Sequence, residues 1–286
     1  MKLTSFVNKI NHMSWSTRRQ LLILAIILSI VFVVLGFILW PYIFKAPTCS
    51  DGLQNQDEVG IDCGGQCFKL CSVQVNDIKV LWTRIFKTTN GVYDVLSYAE
   101  NQNFDAAMKK IVYTFSLYDT NNILVAKRVG KTYITPNGKI PIFEGTIRTG
   151  ERIPKRASIE FDEIPDWIKV SQKAVSLSLS TRDIKFETIN SRSTVSASIS
   201  NNSIYNLSDI EITAILYDDR DNAFAASRTT IDLLNKSSSS RVVFTWVTPF
   251  EKTPKRIEII PRVNIFSIDF FLQLFFPKLL NFCNCS

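Results

Sequence analysis

Twenty-four residues, Leu21 to Phe44, read LLILAIILSIVFVVLGFILWPYIF, with no charge and only Ser29 as a polar side chain. No other stretch constrains the chain as strongly. As a helix rising about 1.5 Å per residue it measures about 36 Å, enough to cross a hydrocarbon layer of about 30 Å. A buried helix of a soluble domain carries a polar stripe over such a length, and this one has none. A cleaved signal peptide has an apolar region of about 7 to 15 residues that ends at small residues. This stretch instead leaves through Trp40, Pro41 and Tyr42, residues suited to a headgroup layer. The reading is a single uncleaved transmembrane anchor.

The charge belongs to the same argument. The chain carries 33 Lys and Arg against 26 Asp and Glu, a net +7. Lys2, Lys9, Arg18 and Arg19 precede the anchor with no acid before it, which leaves 29 basic against 26 acidic residues beyond. Basic residues favour the cytoplasmic flank, so the amino terminus is expected inside and the bulk of the chain outside a cell membrane. The remainder is an ordinary mixed surface without a basic, aromatic-interleaved cluster, and nucleic acid is not expected as a partner. All six cysteines, Cys49, Cys63, Cys67, Cys71, Cys283 and Cys285, follow the anchor, as an oxidising compartment requires.

Residues 49 to 71 read CSDGLQNQDEVGIDCGGQCFKLC, too poor in apolar side chains to build a core. Cys49, Cys63, Cys67 and Cys71 are expected to staple it with two disulfides of about 3 kcal/mol each, and the spacing leaves all three pairings open. Zinc is disfavoured by the absence of paired CxxC spacing. Asp51, Asn55, Asp57, Glu58 and Asp62 gather oxygen donors as a calcium site does, but not in EF-hand order; the other reading gives these residues to turns in a structural knot. Calcium is the one cofactor the residues suggest. The stretch resembles a small extracellular module, C-x-D-G-x-x-N-x-x-E-x-G-x-D-C-G-G-x-C, carried here by Cys49, Asp51, Gly52, Asn55, Glu58, Gly60, Asp62, Cys63, Gly64, Gly65 and Cys67.

Beyond Val73 the pattern becomes short alternating runs. In MKKIVYTFSLYD, residues 108 to 119, Ile111, Tyr113, Phe115 and Leu117 share one face, with Val112, Thr114 and Ser116 opposite. In DIEITAILYD, residues 209 to 218, the inward set is Ile210, Ile212, Ala214 and Leu216. The two runs are offset by 99 residues; Val125 and Ala126 then match Phe224 and Ala225, residues 142–147 match 241–246, and Asn101 matches Asn201. A repeat of about 100 residues is a whole domain, so two domains are expected, each of about seven short strands in two sheets. The predicted fold class is all-β: two tandem immunoglobulin-like β-sandwiches on a single N-terminal transmembrane helix, with the disulfide-stapled knot between. The expected boundaries are a basic cytoplasmic tail, 1–20; the anchor, 21–44; the Cys-rich module, 45–72; a first sandwich, 73–161; a solvated acidic linker, 162–172; a second sandwich, 173–263; and a hydrophobic tail, 264–286.

Phe115, Leu117, Tyr118 and Asp119 form an FxLYD signature, repeated by Leu216, Tyr217 and Asp218 with Ala214 in the Phe place. Both copies resemble the FxLYD family of immunoglobulin-like domains of prokaryotic membrane-anchored surface proteins. The resemblance implies an extracytoplasmic sandwich and assigns no chemistry; the tyrosines read as structural and the aspartates as turn openers. Ala214 puts the packing of the second core in question. Trp246 shares a face with Val242 and Phe244 and reads as core.

The single histidine, His12, precedes the anchor, so serine or cysteine nucleophiles paired with histidine are not expected outside. Asp162, Glu163 and Asp166 read as linker rather than a catalytic pair. After Asn264 the chain turns rich in Phe and Leu, with Asp269, Pro277 and Lys278 opposing a second span; an interfacial or partner-docking segment is the reading. Cys283 or Cys285 offers a bridge to a second copy. The expected function is non-enzymatic, a membrane-anchored stalk or adhesion-type binding module facing an unknown protein or cell-envelope partner. The alternative is an accessory subunit that docks through its hydrophobic tail.

Overall fold

The computed structural model describes residues 15–43, 48–55, 57–161, 166–170 and 179–266. They fall into two units, which divide at Gln56. The first holds helix α1, Trp15–Ile43, whose side chains from Leu21 to Leu39 are all exposed. Such a helix is apolar on every side and matches a lipid surround by length and composition. Its amino-terminal end is marked by Arg19 stacked over the ring of Trp15 at 4.6 Å.

The second unit is built of antiparallel strands. A first sandwich pairs the sheet β1 (Lys79–Thr89), β2 (Val92–Asn101), β5 (Gly138–Arg148) with the sheet β4 (Leu124–Ile134), β3 (Ala106–Tyr118), β6 (Arg156–Phe161); β7 (Ile168–Lys169) adds to β3. A second sandwich pairs β8 (Leu179–Ile189), β9 (Arg192–Asn201), β12 (Ser239–Trp246) with β11 (Ala223–Leu234), β10 (Leu207–Tyr217), β13 (Arg256–Arg262). Among the described residues each sandwich has six long strands where about seven short ones are expected. Bulges carry the chain past irregular points that read as strand ends in sequence, as in β3 and β5.

The alternation in β3 and β10 places its apolar residues inward. Ile111, Tyr113, Phe115 and Leu117 lie in the first core; Ile210, Ile212, Ala214 and Leu216 lie in the second. Ala214 leaves no gap: Phe244 on β12, 1% exposed, supplies the second core with the aromatic volume that Phe115 gives the first. The matched segments 142–147 and 241–246 need one correction. Ile142 faces Ser97 as Val242 faces Ala197, an offset of 100, whereas Ile147 faces Tyr93 as Trp246 faces Ser193, an offset of 99. A bulge next to Thr146, whose φ is 58°, absorbs the extra residue, and Asp94 holds it by accepting the Thr146 N–H at 2.8 Å.

A buried asparagine closes the same corner in each sandwich. Asn101 donates Nδ2 to the carbonyls of Ala106 (2.8 Å) and Thr135 (2.9 Å) and accepts the Asn103 N–H (3.0 Å). Asn201 donates to the carbonyls of Tyr205, Leu234 and Asn235 at 2.8 to 3.1 Å and accepts the Ser203 N–H at 3.0 Å. Each side chain satisfies backbone groups where two strands end and no ladder can serve them. Replacing Asn201 by Ala orphans several of these groups and is expected to lower stability by about 2–3 kcal/mol, read as a lower urea midpoint at unchanged m-value.

Candidate functional site

The cysteine segment was the residues' own candidate for a site. All four of Cys49, Cys63, Cys67 and Cys71 are disulfide-bonded, and Cys63 bridges Cys71 across a separation of 8 residues. Oxidised sulfur offers no thiolate, which removes zinc. The five oxygen donors divide between the units. Asp51 spends its carboxylate locally: Oδ1 accepts from Leu53 N at 3.0 Å, and Oδ2 accepts from Thr48 N at 3.1 Å and Asn55 Nδ2 at 3.0 Å. In the other unit Glu58 Oε2 accepts from Asp62 N at 3.3 Å, and the carboxylates of Asp57, Glu58 and Asp62 do not gather as a group of three ligands within 4.8 Å of one another. Gly65 turns back so closely that a Cβ there would lie 2.1 Å from the Asp57 carbonyl. These contacts are turn chemistry of the kind short Asp- and Asn-rich loops make.

Residues 166–170 depart from the solvated linker expected of them; Asp162 and Glu163 lie outside the described residues. Trp167 is 1% exposed in the first core, and Val170 joins the second. Leu70 N bonds the Trp167 carbonyl (2.9 Å), Lys169 N bonds that of Phe68 (2.7 Å), and Val170 N bonds that of Asp105 (2.7 Å). A short antiparallel strip thus ties the knot to the first sandwich. An indole next to acids reads as a linker in sequence; burying its large surface outweighs the pull of its neighbours toward solvent.

The largest feature missed by the sequence reading is a third apolar cluster. Phe86, Leu96, Tyr98 and Phe143, on the outer face of β1-β2-β5, pack against Ile215, Tyr217, Ala223 and Ala226, on the outer face of β11-β10-β13. The sandwiches therefore meet face to face. Polar clasps ring the seam. Arg84 donates to the Ala223 carbonyl (3.0 Å) and to Asn222 Oδ1 (2.9 Å). Glu258 accepts from Tyr98 at 2.6 Å and from Tyr217 at 3.0 Å, one tyrosine from each sandwich. Arg262, 5% exposed, crosses the seam to the carbonyls of Tyr133 (2.6 Å) and Pro141 (3.2 Å), stacks over the Tyr133 ring at 4.5 Å, and lies 3.7 Å from Glu211. A guanidinium's planar fork suits such multiple acceptors.

The signature residues serve this frame. Asp119 Oδ1 accepts from Asn121 N and Ile123 N at 2.8 and 3.0 Å; Asp218 Oδ1 accepts from Arg220 N and Asn222 N at 3.0 and 2.8 Å. The Asn222 bond is the main cause that holds the Asp218 carboxyl below its ordinary range. Tyr118 lies under Arg156, and Tyr217 under Arg256 with its ring centroid 3.5 Å away. Burial, then Glu258, pushes the Tyr217 hydroxyl up to about 12; burial and the bond to Glu258 raise Tyr98 as well. Trp246 packs on the second core and donates to the Ala226 carbonyl at 3.2 Å.

No protein-family model matches the chain, and no curated protein matches it. Among solved structures, the crystal structure of red sea bream transglutaminase is similar at a TM-score of 0.20 and 11% identity, with 66% of this chain and 29% of that one covered. The chain thus spans less than a third of that protein's length, and likeness at this level says nothing of activity. An open hollow of about 450 Å³ on the second sandwich, lined by Ile189, Asn190, Arg192, Thr194 and Thr245, has no acid, histidine or cysteine in its lining.

Two outcomes test the seam. Arg262→Ala removes the guanidinium donor from two carbonyls of the other sandwich and is expected to cost about 2–4 kcal/mol, with the single calorimetric transition broadening or splitting. The tyrosines give a pH dependence. Above pH about 10 unfolded tyrosines ionise while Tyr217 keeps its proton to about 12, so the native state binds more protons and stability falls as pH rises through that window. Tyr98→Phe with Tyr217→Phe is expected to flatten the fall in denaturation midpoint between those pH values.

Proposed function

We propose that the chain is a non-enzymatic, membrane-anchored extracytoplasmic binding module built from two FxLYD-type immunoglobulin-like repeats. Its amino terminus is cytoplasmic and its β unit outside the cell membrane. The observation that carries this reading is a helix with an exposed apolar run, Leu21 to Leu39, joined to a disulfide-bonded, all-β unit. Four basic residues on the helix's amino-terminal flank support the orientation, and four oxidised cysteines after it support an oxidising compartment.

The repeat reading draws support from the matching strand orders and from paired residues in like roles: Asn101 with Asn201, and Asp119 with Asp218. Face-to-face packing favours a binding module over a stalk. A stalk gains length by stacking domains end to end, whereas this seam sets them side by side and leaves their hairpin tips together for an envelope protein to contact.

Two measurements check the reading. In intact cells carrying a Cys283→Ser, Cys285→Ser variant, an impermeant maleimide is expected to label the chain only after an impermeant reductant; labelling confined to permeabilised cells reverses the orientation. Calorimetric titration of the oxidised protein with millimolar calcium is expected to show no binding heat, and saturable heat abolished by Glu58→Gln would restore the calcium site.

A further inference from the structure

We infer that the end of the β unit bearing the knot rests on the lipid surface, with Phe68, Val73, Phe104 and Ile204 entering the headgroup layer. This rests on the anchor reading above. The four side chains are 75, 81, 68 and 76% exposed, large apolar groups presented to water on four separate segments. Hydrogen bonds gather those segments at one end. Asn76, three residues after Val73, exchanges bonds of 2.8 Å with Asn103, next to Phe104. The Phe68 carbonyl accepts from Lys169, and Val170 bonds Asp105, the residue after Phe104. Tyr205, beside Ile204, packs on the core that Val170 and Ala107 also join. Arg262 brings the matching ends of the sandwiches together through Tyr133 and Pro141.

Two further observations select lipid as the occupant. The knot is the first folded segment after the apolar helix in sequence, and the Phe-rich stretch 267–286 follows Phe266, which packs on the second core four residues after β13 ends at Arg262. In sequence, both apolar segments are thus joined to residues of this end. Lys69, paired with Asp166 at 3.3 Å, and Lys169 are exposed on the same segments, where the Lys169 ammonium reaches lipid phosphate while apolar neighbours sink below it. Among the described residues, the large apolar side chains exposed at the opposite end are aliphatic, Ile123, Ile153, Ile189 and Val247 among them, and neither apolar segment joins the chain there in sequence.

The test uses the full chain reconstituted in phosphatidylcholine vesicles that contain a photoactivatable lipid with its reactive group at the glycerol level, and peptides mapped by mass spectrometry. Expected is labelling of helix α1 and of the peptides holding Phe68, Val73, Phe104 and Ile204, with Ile123, Ile153 and Ile189 unlabelled. The variant Phe68→Ser, Phe104→Ser, Ile204→Ser is expected to lose the labelling at its end several-fold while its thermal unfolding is unchanged. A labelled helix with both ends of the β unit alike overturns this inference and leaves the anchor standing. An unlabelled helix overturns the anchor reading and this inference with it.

Discussion

The seam between the sandwiches is the constraint on which the rest of the second unit depends. Burying the outer faces of β1-β2-β5 and β11-β10-β13 against each other makes the sheets four layers deep, and β2 and β10 are covered on both sides. A strand in that position cannot keep a polar face of long side chains. Its outward residues are instead apolar or small, as with Leu96, Thr213 and Ile215, all nearly inaccessible. The buried charge of Arg262 is tolerated because carbonyls from the other sandwich receive it and Glu211 lies beside it; a closed seam without those acceptors would leave the charge desolvated and poorly compensated. The seam is thus part of each sandwich's own stability.

Polar side chains inside this unit are placed where backbone groups would otherwise go unserved. Asn101 and Asn201 close corners, Asp119 and Asp218 cap turns, Asp94 holds a bulge, and Glu258 joins two hydroxyls across the seam. Each is a residue type that active sites also use. Here the hydrogen-bond partners are the backbone and structural tyrosines, so architecture accounts for them.

Much of the fold was legible in the residues. The long apolar helix follows from length and polarity alone, the inward faces of β3 and β10 from period-two alternation, and the tips from Asn-Gly and Asp-rich turns. The knot's disulfide bonding was legible too, though not the bridge from Cys63 to Cys71, since spacing cannot rank three pairings. The seam was hidden because Tyr98 and Tyr217 look amphipathic, and nothing local distinguishes a tyrosine facing water from one facing another sheet. Trp167 was hidden by its acidic neighbours. The β5 bulge was hidden because an inserted residue shifts a register without changing composition. The loops were the least legible part, because their sequences carry turn chemistry first.

The hairpin tips hold a consequence of their own. Asn122, Asn190, Ser191 and Asp221 sit at positive φ, and Gly91 does likewise, so the tips take their shape from backbone conformation and side-chain caps within each turn. None of these residues contributes to a core cluster. Selection can therefore rewrite the neighbouring exposed positions, such as Thr120, Arg220 or Lys252, without disturbing what lies beneath. The fold separates a packed interior from tips whose exposed positions carry none of its packing.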